Sequence, residues 1–286
     1  MNSLELKARA KINLSLDVLR KRPDGYHDLR MIMQTIELHD KVGLEVIEAG
    51  IEIRCDHPSI PLGNSNIAYK AAELLINEYK ISKGVRIRIE KNIPVAAGLA
   101  GGSTDAAAVL KGMNRIFSLG LSRTELMALG KKIGADVPYC IRGGTMLAEG
   151  IGEVLTELPA FRGVSIVLIK PRIDVSTAWV YKSLNFDNID TRPNTSLLMD
   201  AIRENKPDIL AQNMANVLET VTIKEYGIIN IIKEKLMDLG AMGSMMSGSG
   251  PTVFGIFRDE QAAQKAFSAL DKKDWDCFIT KTICEE

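Results

Sequence analysis

The sequence has no C-x-x-C pair, no H-x-x-x-H or H-E-x-x-H spacing and no long apolar run, and each absence excludes a class of protein. Its four cysteines, Cys55, Cys140, Cys277 and Cys284, are scattered, so they read as reduced thiols of a cytoplasmic protein and not as a disulfide framework. His27, His39 and His57 lie on no metal-ligand spacing, and no zinc site is expected. No segment approaches the roughly 18 uninterrupted apolar residues of a membrane span. The first residues carry charges where a signal peptide needs an apolar stretch. Net charge is absent too: 36 Lys plus Arg balance 36 Asp plus Glu, which gives no general reason to expect nucleic acid or an anionic membrane as partner. An anionic small molecule must then be held by local groups.

What is present is an ordinary globular composition, 46% hydrophobic and 25% charged over 286 residues, enough for one large domain or two. Leu4 to Val18 alternates strictly, with Leu4, Leu6, Ala8, Ala10, Ile12, Leu14, Leu16 and Val18 on one parity. That predicts a long strand or bent strand pair with one buried face, and puts Lys11 and Asn13 together on its polar side. Pro23-Asp24-Gly25 marks a turn. Further strands are expected over Val42–Ile47, Ile51–Arg54 and Val85–Ile89, with a helix from Asn66 to about Tyr79. Ala106, Val109, Leu110, Met113 and Phe117 mark another helix. Ser122 and Glu125 form a capping box for a third, running to Gly134, with Asp136 in a following loop stiffened by Pro138. After a boundary near Pro159–Gly163 the pattern gives a strand at Val164–Ile169 and helices at Ser176–Leu184, Ser196–Glu204 and Lys224–Leu239. It closes as strand Thr252–Phe257, helix Asp259–Leu270 and strand Phe278–Ile283. The class is α+β, divided into residues 1–160 and 161–286.

Between the third short strand and the next helix stands Pro94-Val95-Ala96-Ala97-Gly98-Leu99-Ala100-Gly101-Gly102-Ser103-Thr104. Small residues let backbone amides approach an anion, and the helix start adds unpaired donors and a favourable dipole. Glycines alone suit any structural loop. Position at a strand-to-helix junction, with the Ser103 and Thr104 hydroxyls alongside, favours phosphate binding. No Gly-Lys-Ser/Thr follows, so this is not a Walker A loop, and cationic help must come from elsewhere in the chain.

Three segments together resemble one family. The loop is similar to the Pro-x-x-x-Gly-Leu-x-x-Ser-Ser motif of the galactokinase, homoserine kinase, mevalonate kinase and phosphomevalonate kinase group. Ala8-Arg9-Ala10-Lys11-Ile12-Asn13-Leu14 resembles the group's N-terminal motif, and Met246-Ser247-Gly248-Ser249-Gly250-Pro251-Thr252-Val253-Phe254 its C-terminal glycine-rich motif. Arg22-Pro23-Asp24-Gly25-Tyr26-His27 and Gly134-Ala135-Asp136-Val137-Pro138 resemble the branch whose substrate is a cytidylyl-linked methylerythritol of the non-mevalonate isoprenoid route. The chain departs from many members in carrying Ala96, Ala97 and Ala100 where glycine stands. The resemblance implies an N-terminal domain like ribosomal protein S5 domain 2, with a left-handed β-α-β crossover, and a ferredoxin-like C-terminal domain. Periodicity alone leads to the right-handed default.

It further implies an ATP-dependent kinase acting on a hydroxyl. A lone aspartate after a helix is ordinarily a solvated turn residue; the resemblance makes Asp136 the base, with Lys11 beside it stabilising charge. Asn13 is expected at the substrate hydroxyl or diphosphate, and Gly248, Ser249 and Gly250 at the diphosphate, where the bland alternative is a hairpin turn. His27 is expected to read the base edge, and Tyr26 to stack on its face with Tyr181; core packing is the alternative for both tyrosines. Asn66 and Lys91 are expected to flank the adenine nucleotide, although an Asn at a helix start is commonly a cap. Mg²⁺ is expected, held mainly by phosphates, with a hydroxyl from Ser103. Partners are the cytidylyl small molecule and ATP, with the protein a monomer or weak homodimer. A sister kinase of homoserine or mevalonate type, a related decarboxylase, a non-catalytic binding protein and an RNA-binding module are the competing readings.

Overall fold

The computed structural model describes residues 2–284. Its first half contains β1 (Ser3–Lys21), β2 (His27–Ile47), β3 (Ile51–Cys55), α1 (Ile67–Tyr79), β4 (Gly84–Glu90), α2 (Gly101–Ile116), α3 (Arg123–Lys131), α4 (Val137–Arg142), β5 (Thr145–Gly150) and β6 (Val154–Glu157). The second half contains β7 (Ser165–Pro171), α5 (Thr177–Ser183), α6 (Thr195–Arg203), α7 (Pro207–Asn213), α8 (Glu219–Glu225), α9 (Ile228–Asp238), β8 (Gly243–Met246), β9 (Val253–Phe257), α10 (Glu260–Ala269) and β10 (Trp275–Lys281). A short 3-10 turn at Phe186–Asn188 follows α5. The class is α+β, as expected.

Two compact units are interleaved along the chain. The first takes the residues up to Ala10, then Leu38–Ile93 and Ala100–Gly143; the second takes Lys11–Glu37, Pro94–Leu99 and the chain from Gly144 onward. Strands β1 and β2 pair with each other and lend one end to each unit. In the first unit, β4 pairs antiparallel with the second half of β2 (Val42 opposite Ile89) and parallel with β3 (Ile53 opposite Ile87). The parallel pair is joined through α1, as a crossover requires. Helices α1 and α2 present alanine-rich faces, Ala68, Ala71 and Ala72 from one and Ala106, Ala107 and Ala108 from the other, all buried. At Gly112 a Cβ would stand 2.2 Å from Leu44 Cδ1 and 2.9 Å from Leu6 Cδ1, so a side chain there would displace both leucines.

In the second unit, β5 pairs antiparallel with the first half of β2 and with β6. A separate antiparallel sheet runs β10-β7-β9-β8. Within the order of its own four strands that is fourth, first, third, second, with helices between the first and second and between the third and fourth. This is the ferredoxin-like plan the resemblance implies. Strand β7 is buried along its whole length, which suits a central strand covered on both faces.

Several boundaries and exposures differ from the pattern reading. Strand β1 is one continuous strand whose polar parity is exposed at Glu5 and Lys7, but from Lys11 onward it is not solvated: Lys11, Asn13, Ser15 and Asp17 are buried along with the apolar parity. Ser15 accepts the Ile32 amide (3.2 Å), and Asp17 pairs with Arg192, so these polar groups are satisfied inside. Asp136 is not in an open loop but at the N-cap of α4, with Pro138 in the first turn, where its ring fits without breaking a helical bond. The capping box of Ser122 and Glu125 starts α3 as expected, yet α3 ends at Lys131, not Gly134. The stretch Lys224–Leu239 is two helices, α8 and α9, broken at Tyr226-Gly227. Strand β10 begins at Trp275, three residues before the expected Phe278. Helix α7 and strands β5, β6 and β8 had no clear period to mark them.

Candidate active site

Each unit supplies a set of candidate groups. In the first, the chain leaves the glycine-rich loop at Ala100 and enters α2 at Gly101. Ala100 is the N-cap and its methyl accepts nothing, so no side chain closes this helix end. The first helical bond runs from Thr104 N to Ala100 O (2.9 Å), which leaves the amides of Gly101, Gly102 and Ser103 ahead of it. Open amides at the positive end of a 16-residue helix suit a phosphate. The Ser103 hydroxyl has no hydrogen-bond partner among the described residues, whereas Thr104 spends its hydroxyl on Arg9 O (2.7 Å). The two hydroxyls therefore differ: Ser103 is open to a ligand, and Thr104 fixes the helix start.

Beneath this helix start lies a buried ionic cluster. The Lys91 ammonium contacts Asp40 and also Asp105 Oδ2 (3.0 Å), with all three side chains almost wholly buried. Asp40 further accepts the amides of Asn92 (2.6 Å) and Ile93 (2.8 Å). Burial pushes the Asp105 carboxyl up to about 8; Lys91 pulls the other way and Asp40 adds to the rise. Burial works against the Lys91 charge, but the two carboxylates outweigh it and its shift is upward. Lysine thus stays an ammonium and Asp105 is the group that takes a proton. Asp105 Oδ1 has no hydrogen-bond partner among the described residues. The side chain of Lys91 is committed to these carboxylates. Asn66 is similarly engaged: Oδ1 caps α1 by accepting from Ala68 N (2.9 Å), and Nδ2 donates to Pro61 O (2.8 Å). Asp136 is half-buried, and its carboxylate makes no capping bond to its own helix.

In the second unit Gly98 O is a junction. It accepts from Lys11 Nζ (2.9 Å) and from Ser247 Oγ (3.0 Å). Lys11 Nζ also donates to Asn13 Oδ1 (2.8 Å), and Asn13 Nδ2 reaches Met31 Sδ (3.2 Å). The parity that placed Lys11 beside Asn13 is correct, and both are held by packing as well as hydrogen bonds. A Cβ on Gly98 would stand 2.2 Å from Ser247 O, so the Pro94–Leu99 loop and the Ser247–Gly250 turn meet backbone to backbone. Gly98, Gly248 and Gly250 all take positive φ (71°, 59° and 85°), which glycine accepts freely. Ala96 (52°) takes the same region without that freedom.

The same unit holds an aromatic group at the start of β2. The Pro23-Asp24-Gly25 turn is closed by Arg22 N to Tyr26 O (2.8 Å), while Asp24 Oδ1 accepts Tyr26 N (3.1 Å). That leaves the Tyr26 side chain largely exposed, with the residue 59% accessible. His27 is buried, its ring 5.3 Å from Tyr181 and 6.4 Å from Phe186, tilted to the first and near parallel to the second. Burial, with Lys21 assisting, lowers its pKa, so the imidazole is neutral near pH 7 and has one donor and one acceptor nitrogen. Phe186 escaped the sequence reading because it lies in a non-periodic stretch after α5.

Among the described residues no three or more His, Cys, Asp or Glu side chains gather as a metal centre, and no helix is long and apolar enough to cross a membrane.

Comparison with known proteins fits this geometry. Residues 66–144 match the family described as GHMP kinases N terminal domain, and residues 198–277 match GHMP kinases C terminal. A 4-diphosphocytidyl-2-C-methyl-D-erythritol kinase of Acetivibrio thermocellus is 62% identical over 283 residues, which cover 99% of this chain and 100% of that one. One from Clostridium botulinum is 53% identical over 280 residues, covering 98% and 100%. The crystal structure of a 4-(cytidine 5'-diphospho)-2C-methyl-D-erythritol kinase superposes with a TM-score of 0.86 at 30% identity, covering 99% and 100%. A homoserine kinase from Cytophaga hutchinsonii superposes with a TM-score of 0.78 at 18% identity over 99% and 95%, a likeness of fold alone. The chain belongs to the GHMP kinase family and is an ATP-dependent phosphotransferase.

Proposed function

We propose that the protein phosphorylates the 2-hydroxyl of 4-diphosphocytidyl-2-C-methyl-D-erythritol, as a cytoplasmic enzyme of the non-mevalonate route to isoprenoid precursors. The observation that carries the substrate is the neutral, buried His27 lying against Tyr181 and Phe186, with Tyr26 exposed beside it in sequence. A neutral imidazole can donate and accept at once, as the edge of a cytosine demands. Flat rings can hold its face, a contact that contributes roughly 1–3 kcal/mol per base. Homoserine and mevalonate have no base to read. Phe186 joins Tyr26 and Tyr181 as a stacking candidate.

In the reaction, Asp136 accepts the proton of the substrate hydroxyl as its oxygen bonds to the γ-phosphorus and the bond to the ADP oxygen breaks. Its carboxylate is not spent on capping, which suits a base. Lys11 neutralises charge on the transferring group, and Asn13 orients the hydroxyl. The loop Pro94–Thr104 holds the ATP phosphates, chiefly through the amides at the start of α2. Because the Asn66 and Lys91 side chains are engaged within their own unit, they act on the adenine site by shaping it. Gly248, Ser249 and Gly250 hold the substrate diphosphate through backbone amides. Mg²⁺, when bound with ATP, neutralises the phosphate oxygens; the open Ser103 hydroxyl fits an ion held mostly by phosphates. Functionally, residues 1–160 bind ATP and catalyse, and residues 161–286 complete the substrate site.

The test is ADP release from Mg-ATP with the cytidylyl-methylerythritol, mevalonate or homoserine offered separately. Turnover of the cytidylyl compound alone is expected. Turnover only of a non-nucleotide acceptor overturns the substrate and leaves the phosphotransferase standing.

A further inference from the structure

The Ser247–Gly250 turn contains two glycines at positive φ, so its own sequence does little to choose among backbone conformations. The turn closes on itself through Gly250 N to Ser247 O (2.9 Å), a bond that either orientation of the central Gly248–Ser249 peptide allows, so that orientation is set by a further contact. Asn216, which lies between α7 and α8 and is almost wholly buried, spends both donors of its carboxamide on this turn and the strand end leading into it: Nδ2 donates to Met246 O (2.9 Å) and to Gly248 O (2.8 Å). Its Oδ1 accepts Leu218 N (3.0 Å), which fixes the plane of the amide. The segment carrying it runs beside β1, through Leu16 N to Ala215 O and Val217 N to Leu16 O, both 3.0 Å. One side chain therefore ties the turn to the strand that bears Lys11 and Asn13.

We propose that Asn216 is a positioning residue for the substrate diphosphate: by holding the Gly248 carbonyl it aims the Ser249 amide. The peptide group is planar and trans, so its C=O and N–H point in opposite directions. A carbonyl fixed toward Asn216 leaves the Ser249 N–H directed away from it, and that amide has no hydrogen-bond partner among the described residues. Ser249 is held from other sides as well, through its hydroxyl to Thr177 Oγ1 (2.8 Å) and its carbonyl to Thr222 Oγ1 (3.4 Å). These bonds anchor the residue; among the described residues, Asn216 alone hydrogen-bonds the carbonyl of the peptide that precedes it. The inference rests on the proposal that this turn holds the diphosphate.

The experiment measures KM for the cytidylyl substrate and for ATP separately, from pH 5.5 to 8.5, in Asn216→Asp. This substitution keeps shape and the Leu218 contact but sets a carboxylate against two carbonyls. At pH 8 the KM of the cytidylyl substrate is expected to rise about tenfold, with KM for ATP within about twofold of the parent. The penalty is expected to shrink toward pH 5.5 in this variant alone, because a protonated carboxyl regains one donor. Unchanged KM in the folded variant, or an equal rise for both substrates, overturns the assignment. Should Asn216→Asp not fold, Asn216→Ser is judged by the same KM split. Gly248→Ala, whose Cβ would meet Gly98 O at 3.3 Å, separates the two ideas. A raised KM there with Asn216→Asp unchanged removes Asn216 and keeps the turn; no change in either removes the turn, and the inference with it.

Discussion

Asp136 and Lys11 show how differently two charged side chains can be presented. Asp136 sits at a helix N-cap without capping, and Lys11 is buried with Asn13 and the Gly98 carbonyl as partners. If they are base and charge stabiliser, Asp136→Asn and Lys11→Ala each lower kcat by roughly a hundredfold or more while the fold persists by circular dichroism. Turnover near the parent level in either folded variant removes that residue from the chemistry. Asp105 gives a second prediction, about stability. Its carboxyl titrates near 3.8 when unfolded and about 8 in the folded chain, so between these values the folded state binds the extra proton. Stability from this group is therefore whole below about 3.8 and is lost progressively as pH rises from there through about 8. Asp105→Asn mimics the neutral acid and leaves Lys91 paired with Asp40. Thermal unfolding should show the variant gaining Tm relative to the parent at pH 8.5 and gaining little at pH 5. Parallel curves at both values would contradict the proton-holding role.

Among the elements, the glycine-rich loop carries a measurable strain. Ala96 and Ala100 occupy left-handed backbone, where a Cβ costs roughly 1–2 kcal/mol, while glycine raises unfolded-chain entropy by a compensating 0.4–1 kcal/mol or so. Ala96→Gly and Ala100→Gly should each raise stability in urea by a few tenths to about 1 kcal/mol with an unaltered m-value. Gly98→Ala should do the reverse, losing about 2 kcal/mol or more, because its Cβ would run into the Ser247 carbonyl. The sequence announced the loop but not which alanines are strained, since φ is decided by what the loop packs against. The same limit governs β1. Its alternation was plain from Leu4 to Val18, yet alternation reports polarity and not exposure, and tertiary partners such as Arg192 buried the polar parity from Lys11 to Asp17 while Glu5 and Lys7 stayed exposed. Phe186 and Asn216 sit in segments without period, and the cluster that Asp40 and Asp105 form around Lys91 draws on three separate stretches, which no local pattern brings together.

For the whole molecule, the interleaving of the two units matters more than any single boundary. Lys11–Glu37 and Pro94–Leu99 belong with the chain beyond Gly144, and the ties are explicit: Ile283 N to Thr35 O (3.0 Å), Gln34 Nε2 to Ile283 O (2.8 Å), and Leu16 with Ala215 and Val217. A fragment of residues 1–160 strips these partners from a strand buried on both faces. It is expected to lack a cooperative thermal transition alone, and to regain one when mixed with residues 161–286. A sharp, reversible melt of 1–160 by itself would show that this stretch, with the parts of the second unit it carries, needs nothing from residues 161–286. The functional division at residue 160 is a separate matter, decided by which substrate each half affects.

The missing cap at the start of α2 has a practical consequence. With a methyl at Ala100 in place of an oxygen, the amides of Gly101, Gly102 and Ser103 should trade deuterium with solvent faster than the capped first turn of α1. ATP seated there would slow that exchange even when no acceptor substrate is present. Mass spectrometry of this one peptide would then report nucleotide occupancy in a protein that is not turning over, including variants too slow to assay.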